Sequence, residues 1–138
     1  MRSAITILVL DTQPGSGIRK MIDSPERLVV TTSSPRLARH ALNTMVVAVW
    51  ICDMALSVNE LKSLVAIAES SSAGIQIIYL GTQLMAGKAK SYIAAGHGSG
   101  FIARPFAAVD VKKAVADAAT SYYARSSGTV SSRDGKRT

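Results

Sequence analysis

The sequence predicts a single α/β domain in which a parallel sheet of five strands lies between two layers of helices. Three observations lead there. Five short apolar runs alternate with stretches whose apolar residues recur at helical spacing. Each pair of runs is separated by enough chain for a crossover helix, which parallel strands require and which packs back onto the sheet in the right-handed sense. Finally, 138 residues with 48% hydrophobic content suit one domain with an ordinary core.

The elements follow in order. Ile5 to Leu10 is a nearly continuous apolar run, as expected of a strand covered on both faces. A short helix is predicted from about Pro14, with Ile18, Met21 and Ile22 on one face, and Ser24-Pro25 breaks it. Leu28 to Thr31 resumes as a β-branched strand. Ser34-Pro35 is a helix start, a hydroxyl N-cap followed by proline where its missing N–H costs nothing, and Leu37, Ala38, Ala41 and Leu42 form the apolar stripe. Met45 to Cys52 reads as the central strand. Ser57-Val58-Asn59-Glu60 is a capping box that opens a helix carrying Leu61, Leu64, Val65 and Ala68 on one side. Ile75 to Leu80 is the fourth strand. Leu84 to Ala95 is a helix presenting Leu84, Ala89, Tyr92 and Ile93, closed by Gly96. Gly100 to Ala103 makes a short fifth strand, and Val111, Val115, Ala118 and Tyr122 line a last helix.

Composition excludes several classes. No apolar run approaches bilayer-spanning length, and Ala4 to Leu10 meets Asp11 directly without a small-residue cleavage site, which points to a cytoplasmic protein rather than a secreted or membrane-inserted one. The single Cys52 forms no internal disulfide, and His40 and His97 lack metal-ligand spacing. The formal charge is +7. Residues 124–138 carry four basic residues against Asp134, a net +3 that leaves +4 for the body. Basic pairs such as Arg19/Lys20, Arg36/Arg39 and Lys112/Lys113 fall on separate helices without interleaved aromatics, a pattern of solvated faces that argues against direct nucleic-acid binding. Residues 1–123 are therefore expected to form the domain, and the Ser-, Gly- and charge-rich 124–138 a flexible basic tail or linker.

Asp11, Asp53, Thr82 and Arg104 each stand just beyond a run that reads as a buried strand, which places them along one edge of the sheet. In open α/β sheets ligands bind in the crevice beyond the carboxyl ends of the strands. Ile7-Leu8-Val9-Leu10-Asp11-Thr12-Gln13-Pro14 resembles the apolar strand and Asp-Asp-Glu-Pro of response regulator receiver domains. Ala95-Gly96, followed by Phe101-Ile102-Ala103-Arg104-Pro105-Phe106, resembles the same family's Ala-Gly, aromatic strand and Lys-Pro-Phe. The resemblance covers about Ile5 to Tyr123. It implies a flavodoxin-like three-layer sandwich with strand order 2-1-3-4-5.

The resemblance also implies a chemistry. A kinase phosphohistidine would pass its phosphoryl group to Asp53, a carboxylate nucleophile. Asp11 and Asp53 would hold Mg²⁺ to neutralise the phosphoryl oxygens, the Thr82 hydroxyl would bond the transferred group, Arg104 would supply the cation, and Phe101 would be the switching aromatic. Two departures stand out. Thr12 replaces the second metal carboxylate, so any Mg²⁺ site should be weak, and Arg104 replaces lysine, a planar fork that could pair with Asp53 or Asp11 and hold the pocket in one state. Met54-Ala55-Leu56 also lacks the usual proline and glycine after the acceptor strand.

Plainer readings run alongside. Asp11 and Asp53 could cap strand ends, Leu80 could take the place of Thr82 in a shifted alignment, and Phe101, Trp50 and Cys52 could be core. Gln13-Pro14-Gly15-Ser16-Gly17 also invites an alternative as the phosphate loop of a nucleotide- or flavin-binding module, although it lacks the third glycine of the dinucleotide fingerprint and the Gly-Lys-Ser/Thr ending of a P-loop. The reading reached is an atypical receiver or pseudo-receiver of two-component signalling, not an enzyme. It would act either as a phospho-aspartate switch in a phosphorelay or as a phosphorylation-independent interaction module. Its expected partners are a sensor histidine kinase or phosphotransfer protein, an output domain or effector protein, and a second copy through the last helix and fifth strand.

Overall fold

The structure, a computed structural model, describes residues 4–13 and 15–131, with side chains through residue 125. Strands and helices alternate as β1 (Ile5–Leu10), α1 (Ile18–Ile22), β2 (Arg27–Thr32), α2 (Pro35–Thr44), β3 (Val49–Asp53), α3 (Val58–Ser71), β4 (Gln76–Thr82), α4 (Ala86–Ala94), β5 (Gly100–Arg104) and α5 (Ala108–Ser131), with a 3-10 turn at Gln83–Met85 before α4. All neighbouring strands run parallel, in the order β2-β1-β3-β4-β5. The chain thus has the predicted three-layer flavodoxin-like arrangement.

The two-residue period of a strand sends alternate side chains to opposite faces, and here it builds two cores. Ile7, Val9, Val49, Ile51, Ile78, Leu80 and Ile102 pack with Ile18 and Ile22 of α1 and with Val111, Val115 and Ala118 of α5. Leu8, Leu10, Trp50, Cys52, Ile77 and Tyr79 pack on the other face with Leu42 of α2, Leu61 and Leu64 of α3 and Ala89 of α4. Burying each large aliphatic side chain contributes about 1.5–3 kcal/mol. The predicted caps form: the Ser34 Oγ accepts from the Leu37 N–H at 3.2 Å and the Ser57 Oγ from the Glu60 N–H at 3.2 Å, each worth about 1 kcal/mol. Among the described residues no helix is long and apolar enough to cross a membrane.

Several boundaries differ from expectation. The central strand begins at Val49, not Met45. Val47 and Ala48 are buried, yet they cross between elements: the Ala48 N–H donates to Thr6 and its carbonyl accepts from Gln76, while the Val47 N–H donates to the Ser72 Oγ. Ala48 thus extends the hydrogen bonding toward β1 and β4 one residue ahead of β3, whereas Met45 to Val47 join α2 to it. Helix α1 starts at Ile18, because Gly15 and Gly17 adopt φ of +93° and +81°, which a right-handed helix does not accept; Pro14 lies outside the described residues. Leu84 is not on the apolar face of α4; it stands 97% exposed in the 3-10 turn. Finally, α5 continues past Tyr123 to Ser131, since a backbone ladder can extend beyond the last turn that buries a side chain. The tail expected from residue 124 therefore begins inside α5, and residues 132–138 lie outside the described residues.

Candidate functional site at the carboxyl edge of the sheet

The parallel topology gathers four residues from four strands. Asp53, Thr82 and Arg104 are the last residues of β3, β4 and β5, and Asp11 follows β1 directly, its N–H donating to the Thr32 carbonyl at 3.0 Å. Register sets their order along the edge: Asp53 lies opposite Leu80, and Thr82 opposite Arg104. Leu80 is wholly buried in the core, whereas Thr82 is exposed at the rim, so of the two candidates for that place only Thr82 faces the crevice.

A charged knot joins three of the four. The Arg104 Nη2 donates to the Asp11 Oδ1 at 2.6 Å and to the Asp53 Oδ2 at 3.2 Å. The Asp53 Oδ2 also accepts from the Thr12 backbone N–H at 2.8 Å and from the Thr12 hydroxyl at 2.7 Å, and its Oδ1 accepts from the Ala55 N–H at 2.9 Å. The Asp11 Oδ1 accepts from the Gln13 N–H at 2.9 Å. Side-chain exposure is 2% for Asp53, 9% for Asp11 and 14% for Arg104. Two carboxylates facing one guanidinium leave the knot one negative charge, set largely away from water.

Asp11 is held below the ordinary carboxylate range: burial by itself would raise it, and the nearby Ser16 hydroxyl, the Gln13 N–H and the Arg104 guanidinium together outweigh that. Its Oδ2 is buried and makes no hydrogen bond among the described residues. Thr82 has no hydrogen-bond partner there for its hydroxyl, and lines a shallow cleft of about 590 Å³ with Gln13, Ser16, Arg104 and Phe106. Phe101 stands apart from the knot. It is half-buried across from Tyr79 and packs with the α3 and α4 side of the core.

Sequence reasoning missed the part played by Thr12. Considered only as a lost carboxylate, it proves to be a double donor that closes Asp53 from above. A hydroxyl beside an edge carboxylate was the available signal. The glycines of the first loop are accounted for by their positive φ, and α1, only five residues long, offers little of a helix dipole to a phosphate.

Magnesium prefers near-octahedral oxygen coordination at about 2.0–2.1 Å. An ion bridging the Asp11 Oδ1 and the Asp53 Oδ2 would compete for the space of the Arg104 Nη2, and Thr12 turns a donor toward Asp53 instead of adding a carboxylate. Among the described residues no group of three His, Cys, Asp or Glu could hold a metal ion. As arranged, the residues do not fit Mg²⁺.

This topology is that of the receiver-type α/β fold. No family model and no curated protein matches the chain. Solved structures do. The chain is similar to the signal receiver domain of an HD domain-containing protein from Pseudomonas fluorescens, at 14% identity and a TM-score of 0.78 over 92% of this chain and 95% of that one. It is similar to the receiver domain of a sensor histidine kinase from Pseudomonas aeruginosa with a magnesium ion coordinated in the active-site cleft, at 18% identity and a TM-score of 0.67 over 86% and 99%. A protein named adenylate cyclase from Rhodopirellula baltica aligns at 18% identity and a TM-score of 0.77 over 98% and 99%. At these identities the likeness establishes the fold: this chain has the fold of response regulator receiver domains.

Proposed function

We propose that this chain is a non-enzymatic docking module of two-component signalling, a pseudo-receiver of the cytoplasm that engages its partner without phosphorylation of Asp53. One observation carries the reading. Asp53, the residue that would attack a phosphohistidine, is 2% exposed; its Oδ2 is saturated by three donors from Thr12 and Arg104, and its Oδ1 is held by the Ala55 N–H and buried from an entering group. A nucleophile must present a free lone pair to the entering phosphorus, and an in-line attack needs an approach path.

The surface available to a partner is the face of α4, β5 and α5. It bears a cleft of about 500 Å³ lined by Phe101, Ala103, Pro105, Phe106, Lys113 and Asp117, among others. The partner classes are a histidine kinase or phosphotransfer protein on one side and an output domain, effector or second copy on the other.

The test is a two-dimensional NMR titration with Mg²⁺ and then beryllofluoride, on the wild type and on Asp53→Asn. The docking reading expects folded spectra and no response. Shifts at Asp11, Asp53, Thr82 and Phe101 that vanish in Asp53→Asn would overturn it in favour of a phospho-aspartate switch. A bound flavin or nucleotide in the purified protein would overturn both in favour of the carrier reading.

A further inference from the structure

We infer that the Arg104 guanidinium is the built-in cation of this site, seated where a divalent ion would bridge Asp11 and Asp53, and that the two carboxylates form a latent metal site which Arg104 keeps closed. The inference deepens the docking reading and rests on its premise of a closed edge.

A single nitrogen, the Arg104 Nη2, reaches carboxylates from two different strand ends, at 2.6 Å and 3.2 Å. A divalent cation bound to the same two oxygens, at the roughly 2.0–2.6 Å such ions require, would compete for that nitrogen's space. It would also meet a charge that cannot be titrated away, since a guanidinium stays protonated throughout the working pH range. Arg104 is anchored as well as charged: it ends β5, in register with Thr82, and Pro105 follows it. The remaining acceptor points the same way. The Asp11 side chain is nine-tenths buried, and its Oδ2 has no partner among the described residues. A lone oxygen gives a metal one protein ligand, which is too few. With the guanidinium removed, that oxygen, the Asp11 Oδ1 and the Asp53 Oδ2 would lack a counter-charge, and two negative charges with oxygen donors are what a hard cation recognises.

Mn²⁺, a paramagnetic stand-in for Mg²⁺, tests this through the broadening of amide resonances in the wild type and in Arg104→Met. The wild type should show no saturable broadening at Thr12, Met54 or Ala55. Arg104→Met should show it with apparent affinity at least about tenfold tighter, since a unit positive charge beside the ion is gone; Mg²⁺ should compete, and adding Asp11→Asn should abolish it. Should Arg104→Met fail to fold, Arg104→Gln is read in the same way, and refolding of either variant on adding Mg²⁺ also supports the inference. Failure of both variants to gain metal, whether folded or refolded with metal present, overturns it. So does wild-type protein that binds Mn²⁺ saturably at these amides. That last result leaves the docking reading standing unless beryllofluoride also adds to Asp53.

Discussion

The two ends of the sheet hold their strands together by different physics. At the carboxyl edge the fastening is ionic: one partly buried guanidinium and two buried carboxylates tie β1, β3 and β5. At the opposite end of β4 and β5 it is chiefly neutral and steric. The Tyr79 hydroxyl donates to the His97 carbonyl, Gly98 lies under the Tyr79 ring, and the Ser99 hydroxyl donates to the Gln76 Oε1 at 2.7 Å. At the surface beside them the His97 Nδ1 meets the Glu69 Oε2 at 2.9 Å. Burial, first, and then nearby Cys52, Glu69 and Tyr92 push the Tyr79 phenol above its ordinary range, so it remains a donor through neutral pH. Neutral fastening tolerates the loss of one partner. Ionic fastening does not, because the surviving charge stays buried and unpaired.

Removing the cation breaks that contrast most sharply. Arg104→Met should cost about 3–5 kcal/mol, the usual penalty for stripping one partner from a buried pair, measured by denaturant unfolding with the sole tryptophan, buried Trp50, as fluorescent reporter. The same knot should give the protein an acid limb. With the Asp11 pKa lowered on folding, its contribution is fully present above the unfolded value and is lost as pH falls below about 4 through the folded one. An Asp11→Asn variant should lose that part of the pH dependence in the same unfolding assay.

Smaller effects should come from the neutral end. In Gly98→Ala the new methyl would lie 2.5 Å from the Tyr79 Cε2 and 3.3 Å from the Ile77 carbonyl oxygen, so the ring must shift; an overpacking cost of about 1–3 kcal/mol is expected in thermal denaturation. Tyr79→Phe, which deletes one neutral hydrogen bond, should cost about 0.5–1.5 kcal/mol. The surface pair is worth least: Glu69→Gln should change stability by about 0–1 kcal/mol, and less at high salt. An Arg104→Met change no larger than that of Glu69→Gln would erase the distinction between the two ends.

Much of this could be read from residue order. The alternation of apolar runs with helical stripes is a local property, so the five βα units, the Ser34 and Ser57 caps and the edge positions of Asp11, Asp53, Thr82 and Arg104 were legible without a structure. Boundaries were less so. Met45 to Val47 is as apolar as a strand but joins α2 to β3, and Leu84 fits a helical stripe yet lies in the solvent.

What the chain alone determined is which residues are delivered to one edge, since periodicity and strand polarity are written in consecutive residues. What only the tertiary structure decided is how they meet. The bonds from Arg104 to Asp11 and Asp53 span 93 and 51 residues, and those from Thr12 to Asp53 span 41. Whether Arg104 greets a phosphoryl group or shuts on two carboxylates is set by a side-chain rotamer and by the distance between strand ends. Neither is encoded in any local pattern, because both emerge only once the sheet has brought distant backbone within hydrogen-bonding reach.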